Sequence, residues 1–118
     1  MKIEDSFITI SRSMSEAQIK ASCEDYINLK KLLALRLNAG DILVERNGRT
    51  YKVRGVRAGC ADYEILLPGG RAVWVELKTW TGKQSKDQVE FQREVEELGF
   101  EYYVIRNVEE FVKALEVK

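Results

Sequence analysis

The 118-residue chain contains no histidine at all. That absence excludes histidine-relayed serine and cysteine nucleophiles, histidine-ligated zinc and the HExxH protease helix together. Only two cysteines occur, Cys23 and Cys60, far apart and outside any CxxC spacing, so neither a disulfide framework nor a cysteine zinc site is expected. Long apolar runs are missing as well. Lys30, Lys31, Arg36 and Glu64 interrupt the longest stretches, and none reaches the roughly 18 uncharged residues of a membrane span. No signal-peptide pattern opens the chain, and a reducing cytoplasm is the expected compartment. Net charge is lacking too, with 19 basic residues against 19 acidic, which argues against a surface wrapped in nucleic acid all round but leaves room for a local basic strip. Any catalysis has to run on carboxylates, lysines or an oxygen-bound metal.

The chain does have an ordinary apolar fraction, 45%, enough for one modest core. With a single proline and no repeat or low-complexity tract to divide it, residues 1–118 read as one domain, the first 14 as an arm. Ser15 and Glu16 signal a helix start, and Ile19, Cys23, Tyr26, Ile27, Leu33 and Leu37 continue a helical spacing toward Asn38 and Gly40. Ile42–Arg46 and Thr50–Arg54 flank Asn47-Gly48-Arg49 as a hairpin. Ala61–Leu67 and Ala72–Lys78 read as strands joined at Pro68-Gly69-Gly70. A helix from Ser85 to Leu98, a buried strand at Tyr102–Ile105 and a last helix over Val108–Leu115 complete the order. The fold class is α/β, a mixed central β-sheet flanked by helices.

Chemistry concentrates between Asp62 and Gln88. Alternation puts Glu76 and Lys78 on one face of a strand and Leu77 on the other. If the strands pair about the Pro68-Gly69-Gly70 turn, Asp62 comes near Glu76, and two carboxylates with a lysine beside them suit an oxygen-ligated Mg²⁺ or Mn²⁺. Taken alone, the same residues would serve as a turn cap and an exposed ladder pair. Ser85 has the position of an N-cap, with Gln88 three residues on at a helix start whose free N–H groups suit a phosphate.

The series Gly59-Cys60-Ala61-Asp62, Glu76-Leu77-Lys78 and Ser85-Lys86-Asp87-Gln88 resembles, in order and spacing, the VRR-NUC branch of the PD-(D/E)XK nucleases. Ala61 stands where that family's loop usually has proline, a change that removes no ligand. The resemblance implies a restriction-endonuclease-like core in α-β-β-β-α-β order, with an additional hairpin strand and a C-terminal helix. It implies a metal held by Asp62, Glu76 and the Leu77 carbonyl, a catalytic Lys78 that orients the attacking water, and a functional Gln88. It also implies an acid on the first helix. Glu16, Glu24 and Asp25 all lie on that element, and Glu24 is chosen because Glu24-Asp25-Tyr26-Ile27 matches the family's acid-aromatic-aliphatic pattern. Glu16 reads equally well as a helix N-terminal charge.

Between Arg46 and Arg57 five basic residues occur without an acid, and Lys83 and Lys86 follow the Glu76 strand. Lys52, Arg54, Arg57, Lys83 and Lys86 are the expected DNA contacts. Segment charges are +1 over residues 1–40, +4 over 41–86 and −5 over 87–118, so neutrality is a cancellation. Trp74 is expected to pack and Trp80 to pack or stack, while Cys23 and Cys60 are expected to be reduced, packed thiols, with oxidation sensitivity at Cys60, beside Asp62, as the alternative. The function implied is metal-dependent cleavage of branched DNA by a homodimer resembling junction resolvases, with Leu32, Leu35, Tyr103 or Phe111 as interface candidates. The alternative is a nuclease-like fold that binds DNA without cutting it.

Overall fold

The computed structural model describes residues 12–37, 41–54 and 56–116, with backbone alone at 41, 42, 53 and 54. The expected N-terminal arm therefore lies mostly outside the described residues. Helix α1 (Glu16–Lys30) opens on a reciprocal cap: the Ser15 hydroxyl accepts from the Gln18 N–H at 3.1 Å, and the Gln18 side chain accepts from the Ser15 N–H at 2.8 Å. Ile19 and Cys23 are buried on its inner face, with Tyr26 and Ile27 packed beside them.

The helix ends eight residues short of Asn38. Lys31 turns left-handed (φ 53°), its N–H donates to the Asn28 carbonyl at 3.2 Å, and the Leu32 N–H donates to Ile27 at 3.0 Å. This closure redirects the chain. Leu33–Arg36 then forms strand β1, not a further helical turn. Leucines at 33, 35 and 37 fit either period over so short a run, and pairing to a neighbouring strand decides for β.

Strands β2 (Asp41–Arg46) and β3 (Arg49–Arg54) form the expected hairpin, but as a separate two-stranded sheet and not as an added strand of the main one. Its two-residue loop, Asn47 (φ 54°) and Gly48 (φ 74°), is left-handed at both positions, the geometry that matches strand twist in a tight hairpin. The main sheet adds β4 (Tyr63–Leu67), β5 (Arg71–Leu77) and β6 (Glu101–Ile105) to β1 in the order β1-β4-β5-β6. The first two pairings are antiparallel and β5–β6 is parallel, crossed over by α2 (Lys86–Glu97). Helix α3 (Val108–Ala114) follows, capped by Asn107.

The sheet separates two apolar layers. Beneath α1 and α3 lie Ile65, Val73, Val75, Leu77, Ile105 and Phe111, all 2% exposed or less. Phe111 is thus core and is withdrawn as an interface candidate; Leu32 and Tyr103 also pack against this layer. Under α2, Ala61, Val95 and Tyr102 join Trp74, Phe91 and Val104, with Trp74 meeting Phe91 edge-on at 5.6 Å. At one end of the sheet Arg71 forks onto Glu101 (2.6 and 2.7 Å) and reaches the carbonyls of Ala114 and Glu116, tying β5, β6 and the end of α3 together. The Asp62–Glu76 end is the other one. Among the described residues no helix is long and apolar enough to cross a membrane.

Candidate functional site

Register sets the two strand acids opposite each other. Tyr63 pairs with Val75, so Asp62 falls opposite Glu76, and the Asp62 N–H donates to the Val75 carbonyl at 2.9 Å. Asp62 is fixed from three sides. Its carbonyl accepts from Leu37 at 2.9 Å, and its Oδ2 accepts from the Leu77 N–H at 2.7 Å. The second side-chain oxygen takes no hydrogen bond from the described residues. The preceding loop is held against α2 by Gly59 (φ 79°), where a Cβ would come within 2.4 Å of the Asp87 carbonyl carbon. Only glycine fits there, both for its φ and for its contact.

Glu76 is 1% exposed on the α2 face. Its Oε1 accepts from the Tyr102 hydroxyl at 2.6 Å and from Gln84 Nε2 at 3.2 Å, and Gln84 is itself oriented by a 2.9 Å bond to Gln92. Its Oε2 is equally buried and has no partner. Burial raises the Tyr102 phenol above its ordinary pKa, and the hydrogen bond to Glu76 together with the charges of Glu76 and Asp62 raises it further. Tyr102 is therefore a permanent donor at neutral pH, and both carboxylates act on it. Lys78, the residue after the end of β5, is half-buried, and its stem runs past Gly82.

The loop between β5 and α2 is pinned from below. Arg106 Nη1 donates to the carbonyls of Thr79, Trp80 (3.3 Å) and Gly82 (2.8 Å), which fixes the chain leading from Lys78 to Gln84. At the helix start, the Ser85 Oγ accepts from the Gln88 N–H at 3.2 Å and Gln88 Oε1 accepts from the Ser85 N–H at 2.8 Å. Ser85 is the cap its position suggested, and the Gln88 carbonyl oxygen is committed to the same cap. Gln84 is the glutamine that touches Glu76.

A cleft of about 260 Å³ opens beside these residues, lined by Glu16, Ala17 and Lys20 of α1 together with Asp62 and Leu77. The first-helix acid at this cleft is Glu16. Glu24 lies two helical turns, roughly 12 Å, further along. There it accepts from the Tyr63 hydroxyl at 2.6 Å and pairs with Arg36 of β1, and these bonds hold its carboxyl below the usual range. The aromatic-aliphatic pattern after Glu24 reports how α1 packs on the core, not where the cleft opens. Lys20, one turn after Glu16, is a cleft residue that no motif in the sequence singles out.

The expected DNA contacts divide. Lys83 and Lys86 are exposed around the start of α2, and Lys52 is exposed on the hairpin. Arg57 instead pairs with Glu94 and lies over the Phe91 ring at 5.6 Å, on the α2 side of the sheet. The Arg54 side chain lies outside the described residues. Trp80 is 40% exposed, with the Arg12 guanidinium 4.8 Å from its ring.

Among the described residues no three acidic or sulfur side chains cluster as metal ligands. Two carboxylates and a backbone carbonyl nevertheless fit a magnesium-type ion, which commonly takes one or two carboxylates and keeps several waters. The unpartnered buried oxygen of Glu76 supports that fit.

No protein-family model matches the sequence, and no curated protein matches it. Among solved structures, a chain described as "VRR_NUC domain" superposes with a TM-score of 0.58, over 83% of this chain and 90% of that one, at 17% identity. The mixed sheet flanked by helices is thus the fold of a VRR_NUC domain.

Proposed function

We propose that this protein is a divalent-metal-dependent endonuclease that hydrolyses DNA phosphodiester bonds. Glu76 carries the reading. A carboxylate at 1% exposure, with one oxygen held by Tyr102 and Gln84 and the other unpartnered, is costly unless a cation completes it. Asp62 across the strand pair and the Leu77 carbonyl complete the proposed ligand set. When bound, Mg²⁺ or Mn²⁺ supplies an acidified water and neutralises charge developing on the phosphate. Lys78, two residues after Glu76 and just beyond β5, orients that water, and Lys83 and Lys86 hold the backbone of the strand to be cut. The substrate is branched duplex DNA and the acting species a homodimer, whose two clefts match two symmetry-related bonds of a junction.

The test compares junction, flap, nicked and linear DNA with Mg²⁺ or Mn²⁺. Wild type is expected to cut. Glu76→Gln is expected to lose activity by a factor of about 10² to 10³, as when a principal electrostatic group is removed, and to lose Mn²⁺ uptake in calorimetry. Tyr102→Phe is expected to weaken that uptake by about 10- to 100-fold through its effect on a ligand. No cleavage of any substrate, or equal cleavage by wild type and Glu76→Gln, overturns the proposal.

A further inference from the structure

We infer that the β2–β3 hairpin is a recognition ribbon that enters the major groove of double-helical DNA, an assignment that rests on the nuclease reading. Among the described residues its strands pair only with each other, in register from Asp41↔Arg54 to Arg46↔Arg49. Alternation divides it into two faces. One carries Val44 and Tyr51 opposite each other, 39% and 48% exposed, and then Arg46 opposite Arg49 at the tip. Glu45, the nearest acid, projects from the other face.

Both tip arginines are exposed, and neither side chain makes a hydrogen bond or ion pair with any described residue. Like charges directly opposed on adjacent strands destabilise a hairpin. A protein that keeps such a pair next to a two-residue turn carries a local conflict of the kind that marks a binding site. A polyanion resolves it, since each guanidinium then meets a phosphate or a guanine edge with its planar fork. Shape agrees with charge. Two strands roughly 4.8 Å apart and six residues long make a ribbon about 20 Å in length, and a two-stranded ribbon is what a groove roughly 12 Å wide admits. Tyr51 and Val44, behind the arginines, supply the apolar surface that meets sugars and thymine methyls.

The experiment measures duplex binding by the Glu76→Gln protein, which is expected not to cut, with and without R46Q/R49Q. The double substitution is expected to weaken duplex binding at least tenfold and to lower the slope of log affinity against log salt by about 2, one released counterion for each arginine. Tyr51→Ser is expected to weaken binding without changing that slope. Removing the like-charge pair is expected to leave the melting temperature unchanged or raise it, so the loss cannot be ascribed to unfolding. Wild-type affinity and slope in the double variant overturn the ribbon, as does a loss confined to single-stranded DNA or to RNA. Mn²⁺ uptake and cleavage by the otherwise native chain are read separately. A failed nuclease reading therefore shows as no metal uptake while the arginine effect on binding persists.

Discussion

Two glutamates two turns apart on one helix show how much a neighbour decides. Glu16 faces open cleft, whereas Glu24 is bonded to Tyr63 and Arg36, and its carboxyl is held below the usual range first by the Tyr63 hydroxyl and then by Arg36. A carboxylate whose folded pKa is depressed stabilises the fold above its unfolded pKa, and the contribution fades as pH falls through the folded value. Glu24→Gln is accordingly expected to lower stability at pH 7 by on the order of 1 kcal/mol, a figure kept small for a pair open to solvent. The expected urea-melt signature is a flatter fall in stability on acidification than wild type, with DNA cleavage retained; a cleavage defect matching that of Glu76→Gln would return Glu24 to the site. The two cysteines make the same point. Cys23 is wholly buried and its thiol is pushed up to about 12, while Cys60 is raised by burial and then by the Asp62 charge. Proximity to Asp62 therefore makes Cys60 less readily ionised, in keeping with a reduced, packed thiol and against the oxidation-sensitive alternative.

At the scale of elements, local chemistry was legible wherever a few adjacent residues settle the geometry. Ser15 and Ser85 with glutamines three residues on are capping boxes, Asn47-Gly48 is a two-residue hairpin loop, and Pro68-Gly69-Gly70 joins paired strands. Three features were not legible, because each depends on residues remote in the chain. Strand β1 forms against β4, one oxygen of Glu76 is held by Tyr102 across the parallel pair, and the β5–α2 loop is shaped by Arg106 from beyond β6. Arg106→Ala removes three carbonyl contacts at once. Cleavage is expected to drop about tenfold, since loss of positioning worth about 1.4 kcal/mol carries that factor. Amide exchange at Gly82 is expected to accelerate while Mn²⁺ affinity stays near wild type. Unchanged exchange in that loop would remove Arg106 from the positioning role.

For the molecule as a whole, the charge imbalance between segments finds a partial structural counterpart. The basic middle of the sequence supplies the hairpin, Lys78, Lys83 and the entry to α2, whereas the acidic last third builds most of α2 and α3. The arrangement does not reach every residue, for Arg57 is drawn onto the acidic helix through Glu94. Of the residues nominated for a dimer interface only Leu35 stays exposed, on the same sheet face as Leu33 and Leu66. The proposed homodimer is expected to sediment at twice the 13.6 kDa of the chain, and a monomer at concentrations that support junction cleavage would remove dimerisation from the mechanism.

The β4–β5 hairpin acts as a ruler for the site. Asp62 and Glu76 lie at its open end, away from the Pro68–Gly70 turn, and their meeting depends on register carried through five residue pairs. Strand parity then sets which length changes the chain can tolerate. Residues added or removed within the turn leave the two carboxylates opposed as long as the pairs hold. A single residue inserted between Arg71 and Glu76 carries the glutamate to the α1 face, away from Tyr102 and Gln84, with its hydrophobic neighbours turned outward in exchange. The stretch from Arg71 to Glu76 is thus tightly constrained in length even at positions whose side chains contact nothing in the site.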